Sequence, residues 1–250
     1  MIPLLLTLTA TQEKSYVEKL PSSTVEFKMV CVPGGDVQIG GKTVNVKPFY
    51  IGATEVTWDL FDGFLLSGEP SKPYEQKEFD ADAIARPSRP YILPDLGWGH
   101  AGYPVINVNT TTVEMFLRWL RSVTGKKYRL ATEAEWELAA SAPMSPKVKW
   151  EDREWFADNA KDVSHPVGKK LPNSYGLYDM LGNVGEWTTD MSGKPVLCGA
   201  DFTYSAADLK PTVRRYWSLE WQVSDPQLPK SRWWLSDGWF VGLRLACDPQ

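Results

Sequence analysis

The 250-residue sequence has few of the side chains that usually bind metals or form disulfide bonds. It contains two histidines, His100 and His165, and three cysteines, Cys31, Cys198 and Cys247. Two histidines cannot supply a three-histidine metal site within one chain. Three cysteines are too few for a disulfide-rich scaffold. The composition therefore excludes both classes of protein.

The sequence also lacks an excess of positive charge and a long apolar run. Its 27 Lys and Arg residues are balanced by 31 Asp and Glu residues, which gives a formal net charge of −4. A basic patch is the electrostatic signature of nucleic-acid binding, and about 20 consecutive apolar residues are needed to span a bilayer. We therefore expect neither a nucleic-acid partner nor a membrane span.

Residues 1–24 are predicted to form a separate N-terminal segment. The stretch MIPLLLTLTATQ has a short apolar run followed by small residues, as at the end of a signal peptide, although basic residues are missing from its start. We expect an exported protein, periplasmic or extracellular. A strand-like or disordered segment of a cytoplasmic protein is the alternative. Residues 25–250 are predicted to form one domain, because no repeat or linker divides them.

Glycine, proline and tryptophan are abundant, at 19, 19 and 12 residues. Glycine and proline spread along a chain favour a loop-rich fold with short elements. Residues 26–49 alternate between apolar stretches and turns, which predicts strands. Residues 67–103 contain five prolines, and they are predicted to form a long irregular surface loop.

Three segments have the apolar spacing of helices. The first begins after Thr57, where an apolar stripe follows. The second is predicted to begin with a capping box of Thr111 and Glu114, and it ends at a glycine. The third begins with a capping box of Thr132 and Glu135.

Five segments then combine into a specific pattern. In chain order they are VPGGDVQIGG, PFYIGATEVTWDLF, YRLATEAEWELAA, NSYGLYDMLGNVGEW and VGLRLA. Together they resemble the formylglycine-generating enzyme, or sulfatase-modifying factor, family over residues 26–247. The resemblance implies an α+β, C-type-lectin-like domain with little regular structure. The independent prediction of a few helices among short strands agrees with it.

The resemblance implies a structural calcium site in the turn GLYDMLGNVGEW. Asn183 and Glu186 would supply side-chain oxygens and Val184 a backbone carbonyl, which are the hard oxygen ligands that Ca²⁺ prefers. The alternative is a buried polar pair. Asn183 would then bind the turn backbone and Glu186 an arginine or a tryptophan N–H.

Catalytic members of the family bind copper through two cysteines that follow a Gly-Gly-Ser-aromatic strand. The corresponding strand here is VLCGADF, residues 196–202, and Tyr204 and Leu209 stand about where the cysteines would be. Thiolates are the copper ligands in that chemistry, so neither copper nor catalytic residues are expected. Gly185 also replaces a tryptophan usual in the family, which leaves a space for another side chain to fill.

The position of Cys31 and Cys247 in the first and last strands of this fold implies a disulfide bond between them, which would suit an exported protein. Two adjacent buried thiols, or two thiols that never meet, are the alternatives.

The C-terminal third is dense in tryptophan, tyrosine and arginine, the residue types that dominate binding hot spots. The segment WWLSDGW, 233–239, is predicted to be an exposed patch, because neighbours in an extended segment point in opposite directions. The predicted ligand-binding residues are Tyr204, Arg214, Arg215, Trp217, Trp221, Trp233, Trp234 and Trp239. Packing of a loop-rich core is the alternative role for these rings.

We therefore expect a non-oxidase family member that acts as a binding or scaffold module for a protein, peptide or glycan. The alternative is a formylglycine-generating oxidase with an atypical site that converts a sulfatase cysteine to formylglycine. A purely structural accessory domain is the third reading.

Overall fold

The computed structural model describes residues 14–67, 93–144 and 147–249. The apolar N-terminal run and most of the surface loop predicted over residues 67–103 lie outside the described residues.

Short strands and helices follow one another in runs along the described chain rather than in strict alternation, which confirms the α+β class. The strands are β1 (Tyr16–Lys19), β2 (Glu26–Val32), β3 (Gly35–Ile39), β4 (Lys42–Val46), β5 (Phe49–Gly52), β6 (Arg129–Leu130), β7 (Gly185–Thr189), β8 (Pro195–Cys198), β9 (Arg214–Arg215), β10 (Val241–Leu243) and β11 (Leu245–Cys247). The helices are α1 (Trp58–Leu65), α2 (Thr110–Thr124), α3 (Glu133–Ala140), α4 (Trp150–Arg153) and α5 (Ala157–Ala160).

The last two strands of the chain, β10 and β11, belong to the two larger sheets, and β3 and β4 form a separate two-stranded sheet. The five-stranded sheet has the order β1-β2-β5-β11-β6, and the four-stranded sheet has the order β10-β7-β8-β9. Strand β10 runs parallel to β7, and the other pairings in both sheets are antiparallel. Arg244 lies between β10 and β11, so it stands where the chain passes from one sheet to the other.

The N-terminal edge of the five-stranded sheet comes from the segment assigned to residues 1–24. Strand β1 pairs with β2, with Tyr16 opposite Met29. The hydroxyl of Tyr128 donates a hydrogen bond to Glu18 on β1 at 2.6 Å. This part of the N-terminal segment is therefore joined to the domain.

The helix starts confirm one capping prediction and correct another. Thr132 and Glu135 form the predicted capping box of α3. The N-cap of α2 is Asn109, whose side chain accepts a hydrogen bond from the Thr110 N–H, so the predicted box at Thr111 is wrong. Gly125 ends α2 in the left-handed conformation, φ 71°, where glycine is favoured.

Two hydrophobic clusters lie on either side of the sheets. One joins α1 and α2 to the faces of β7, β10 and β11, with Trp58, Phe61 and Phe116 fully buried. The other surrounds α3, with Trp136 and Phe156 fully buried. Each such side chain contributes about 1.5–3 kcal/mol of burial free energy, so the clusters fix how the sheets meet.

The disulfide expected between Cys31 and Cys247 is wrong, because all three cysteines are outside disulfides. Both residues pair with Tyr50 of β5, one from β2 and one from β11. Two strand spacings separate them by about 9.5 Å, whereas a disulfide needs Cα atoms within about 7 Å.

In the described part of the chain, every helix is too short or too polar to cross a membrane.

Candidate ligand-binding site

The side chain of Asn183 points from its turn into the protein interior. Asn183 has a left-handed backbone, φ 56°, and is fully buried; asparagine tolerates this conformation better than most residues. Its Oδ1 accepts the His165 N–H at 2.9 Å, and its Nδ2 donates to Glu55 Oε1 at 3.0 Å. Both polar atoms of the amide therefore have protein partners.

Glu186 forms the buried ion pair that was the alternative to calcium binding. Arg244 donates to Glu186 through Nε and Nη2, at 2.7–2.9 Å. Trp136 donates its indole N–H to Oε2 at 2.6 Å. The remaining guanidinium N–H groups of Arg244 bind the carbonyls of Gly52 and Tyr178. Glu186 thus ties α3 and both sheets together.

The residues proposed for calcium do not offer it free side-chain oxygens, since protein donors already occupy those of Asn183 and Glu186. Three buried carboxylate oxygens among the described residues lack a hydrogen bond: Oε2 of Glu55 and Oδ1 of Asp179 beside this turn, and Oδ2 of Asp201, which lies next to Arg215. No group of three or more His, Cys, Asp or Glu side chains within the described ranges is arranged to hold a metal ion. The carried-over site therefore does not fit calcium as it stands.

The carboxyl groups beside this turn are strongly perturbed. Burial, and then the neighbouring charge of Asp179, raises the pKa of Glu55 well above its ordinary value. Burial raises the pKa of Asp179 to about 6 and that of Glu154 to about 8. At neutral pH this interior therefore carries fewer negative charges than its carboxyl groups suggest.

The positions expected for copper ligands contain no thiol. Tyr204 is half-buried, and Leu209 packs in the α3 cluster. Cys198 belongs to that same cluster and Cys247 to the other. Burial raises the pKa of Cys198 to about 12, so its thiol is neutral at pH 7 and is a poor metal ligand. These residues do not fit the copper site of catalytic relatives.

Arg215 fills the space left by glycine at position 185. A Cβ atom on Gly185 would lie 2.7 Å from Arg215 Nη2 and 2.8 Å from Leu197 Cδ2. The guanidinium stacks on Phe240, 4.3 Å from the ring centroid. Its Nη2 lies 2.7 Å from Oδ2 of the buried Asp201, although the N–H is not aligned for a hydrogen bond.

The half-buried side chains around Arg215 form what we call the aromatic face, composed of Trp98, Tyr204, Arg215, Trp239 and Phe240. Trp98 and Trp239 are 6.4 Å apart between ring centroids, and Trp239 and Phe240 are 5.3 Å apart. The buried ring of Phe202 supports both tryptophans from below, at 5.5 Å from each. Three separate chain segments therefore build one surface.

The structure places the predicted ligand-binding residues in different roles. Tyr204, Arg215 and Trp239 lie on the aromatic face. Trp217 is 45% exposed. Trp221, Trp233 and Trp234 are buried, so the prediction of an exposed patch at 233–234 is wrong.

Arg214 has a structural role. Its Nε donates to Glu133 at 3.0 Å, and its Nη2 pairs with Glu137. These contacts fasten β9 to α3. They also occupy much of its guanidinium.

Sequence reasoning missed Trp98 and Phe240 as members of the face. Trp98 lies in the segment predicted to be an irregular loop. The signal that could have found it is its position between Gly97 and Gly99. Glycines on both sides allow the tight turn that holds such a ring in place.

This fold and the turn at 175–187 define the class of protein. The sulfatase-modifying factor enzyme 1-like domain matches residues 15–219, and the chain therefore belongs to this family. The predicted family and its C-type-lectin-like α+β fold are confirmed.

Similarity to individual relatives is moderate. The chain is 32% identical over 180 residues to serine/threonine-protein kinase pkn1 of Chlamydia pneumoniae, covering 67% of this chain and 27% of that protein. It is 32% identical over 221 residues to the formylglycine-generating enzyme of Streptomyces coelicolor, covering 64% and 68%. The chain thus spans less than a third of the kinase that it matches.

Among solved structures, Treponema denticola variable protein 1 has the same fold. It superposes with a TM-score of 0.66 at 22% identity, covering 94% of this chain and 99% of that one.

Proposed function

We propose that this chain is a non-oxidase member of the sulfatase-modifying factor family that binds a protein, peptide or glycan through the aromatic face. The observation that carries the proposal is the composition of this face. It joins two tryptophans, a tyrosine, a phenylalanine and an arginine, all partly exposed, and its Tyr204 stands about where one of the family's copper ligands is expected. Such side chains contribute most of the binding free energy in protein interfaces.

The contacts of Arg215 support a binding role. Its guanidinium is held by Phe240 on one side and by Asp201 on another, and 21% of the side chain is exposed. An arginine that is already ordered loses less conformational entropy when a ligand binds. The flat rings of Trp98 and Trp239 offer stacking surfaces beside it.

The cysteines support the non-oxidase part of the proposal. The family's copper-dependent oxidation is expected to use two cysteine thiolates at one site, and thiolates are soft ligands that suit copper. Cys198 is a buried, neutral thiol, and its Sγ lies 3.1 Å from the hydroxyl of Thr188. Cys247 lies on a different sheet.

Binding can be tested with glycan and peptide arrays probed with the labelled protein. We expect the wild-type chain to bind members of at least one array, and Trp239→Ala to weaken that binding about tenfold or more. Trp119→Ala is the matched control, because Trp119 is also half-buried but packs on Phe64 and Phe116 in α1 and α2. Equal binding by wild type and Trp239→Ala would contradict the proposal.

The oxidase remains the second candidate, because of the similarity to the formylglycine-generating enzyme of Streptomyces coelicolor. Mass spectrometry on a peptide with the sequence Cys-x-Pro-x-Arg, incubated with the chain, copper, oxygen and a reductant, separates the two. We expect the peptide mass to stay unchanged. Conversion of the cysteine to the aldehyde would establish the oxidase instead.

A further inference from the structure

His100 lies between two carboxylates in what we call the His100 cluster, composed of Asp62, Asp95 and His100. Its Nδ1 is 2.8 Å from Asp95 Oδ2, and its Nε2 is 2.8 Å from Asp62 Oδ2. An ionised carboxylate can only accept hydrogen bonds, so each ring nitrogen must donate one. This geometry therefore requires the doubly protonated, positively charged imidazole.

The cluster joins helix α1 to the loop formed by residues 93–103. Asp62 comes from α1, and so does Trp58, whose ring stacks on the imidazole at 5.0 Å between centroids. Asp59, also from α1, accepts the Gly102 N–H at 2.6 Å. Asp95 comes from the loop itself. Within the described residues, the charged groups in contact with His100 are thus both acidic, Asp62 from α1 and Asp95 from the loop.

The same loop carries Trp98 to the aromatic face. Asp95 Oδ1 accepts the Gly97 N–H at 2.9 Å, while its backbone carbonyl accepts the Trp98 N–H at 3.0 Å. Asp95 Oδ2 is the oxygen that holds His100. One aspartate therefore holds both the imidazole and the turn that places Trp98 beside Trp239.

We propose that His100 is a positioning residue for the aromatic face: its positive charge fixes the loop 93–103 on α1, and loss of that charge releases Trp98 from its place beside Trp239. A neutral imidazole has one N–H and can satisfy only one of the two carboxylates. An effect of this release on ligand binding rests on the proposed function, whereas the release of the loop and of Trp98 does not.

The direction of the pH dependence follows from the surroundings of His100. Burial lowers its pKa, but hydrogen bonds and charge interactions with Asp62 and Asp95 outweigh burial and raise it above the ordinary value, which is about 6.5. The charged form of the cluster therefore predominates below about pH 6.5 and is lost as the pH rises through the raised pKa. Ligand binding at the aromatic face is then stronger at pH 6 than at pH 9.

NMR without any ligand tests the proposal. The chain has two histidines, so one His165→Gln variant assigns both imidazole signals. His165 is an internal reference, because burial lowers its pKa. We expect His100 to titrate above about 6.5 and His165 below it. Asp62→Asn is expected to lower the His100 midpoint.

Fluorine NMR on protein labelled with 5-fluorotryptophan reports on Trp98, which a Trp98→Phe variant assigns. We expect the Trp98 signal to shift with the same midpoint as His100 and to lose this pH dependence in His100→Gln. The dependence should persist in His165→Gln.

A His100 midpoint at or below about 6.5, or a Trp98 signal that is constant through the His100 titration, overturns the proposal. The wild-type titrations alone decide this, even where His100→Gln fails to fold. Because no ligand is present, a failure here is separate from a failure of the array experiment.

Discussion

Position 185 shows how one substitution is compensated by the side chain beside it. The sequence indicated a space where the family usually has tryptophan, but it did not indicate which group fills it. Arg215 and Leu197 do so, at 2.7 and 2.8 Å from the position of a Cβ atom on Gly185. The local chain has therefore been repacked around an arginine that also contributes to the aromatic face.

This packing makes a double-mutant cycle informative. We expect Gly185→Ala to lower the free energy of unfolding by about 1–3 kcal/mol, because the added methyl group overlaps Arg215 and Leu197. In an Arg215→Ala background the cost should fall by at least about 0.5 kcal/mol. Urea unfolding of the four proteins measures both values. An equal cost in the two backgrounds would mean that Arg215 does not occupy this space.

We expect substitution of Arg244 to lower the free energy of unfolding more than substitution of Arg129. Only 1% of its side chain is exposed, and Arg244→Ala would leave Glu186 buried without its cation. Breaking such a pair costs about 3–5 kcal/mol. Arg129→Ala is the control, because its partners are Glu135 and Asp248 and 30% of its side chain is exposed; we expect a cost of about 1 kcal/mol or less. Comparable losses in the two variants, measured by urea unfolding, would contradict this ranking.

At the scale of the elements, helix α2 was predicted correctly, but the residue at which it begins was not. Three consecutive threonines offer several N-cap candidates, and the capping-box rule selected Thr111. The structure selects Asn109, whose Oδ1 accepts the Thr110 N–H at 2.7 Å. Helix α3 was correct because its Thr132–Glu135 box has both reciprocal hydrogen bonds.

The difference can be measured. Asn109→Ala should destabilise the protein by about 0.5–2 kcal/mol, because it removes the N-cap of α2. Thr111→Ala should change stability by about 0.5 kcal/mol or less, as is usual for a substitution that removes no cap. Thermal unfolding followed by circular dichroism compares the two variants under one condition. A larger loss for Thr111→Ala would restore the original prediction.

The strand order could not be predicted from the sequence, and the disulfide error came from that. Cys31 lies in β2 and Cys247 in β11, which are the first and last strands of the domain predicted over residues 25–250. The sequence does not reveal that β5 lies between them and that both face Tyr50. Contacts between distant segments depend on strand order, which local periodicity does not encode.

Across the domain, the family motifs predicted the fold but only part of the binding site. The motifs predicted the fold because each is a short continuous segment that can be recognised in the sequence, and their order matches that of the family. The aromatic face instead brings together Trp98, Tyr204 and Trp239, which are far apart in the chain. Exposure also depends on tertiary packing, so Trp233 and Trp234 looked equivalent to Trp239 in sequence although they are buried.

The buried carboxyl groups predict how the stability of the entire domain changes with pH. Burial raises the pKa of Glu154 to about 8 and that of Asp179 to about 6, whereas unfolded Glu and Asp titrate near about 4.3 and 3.9. The folded chain therefore retains protons that the unfolded chain has lost. The stabilising contribution of these two groups is fully present below their unfolded pKa values, and the free energy of unfolding falls as the pH rises from about 5 to about 8.

Urea unfolding at a series of pH values tests this slope, and Glu154→Gln tests its source. Each group contributes at most about 1.4 kcal/mol per pH unit, so Glu154→Gln should flatten the profile most between about pH 6 and 8. Glu151→Gln, a substitution of an exposed residue on α4, should leave the profile unaltered.

EDTA should also leave the pH profile of stability unaltered, because protein donors already occupy the side-chain oxygens of Asn183 and Glu186. If EDTA lowered the stability at pH 8, a cation rather than protons would be neutralising these carboxylates, and the calcium site would be restored with Glu55 and Asp179 as its ligands.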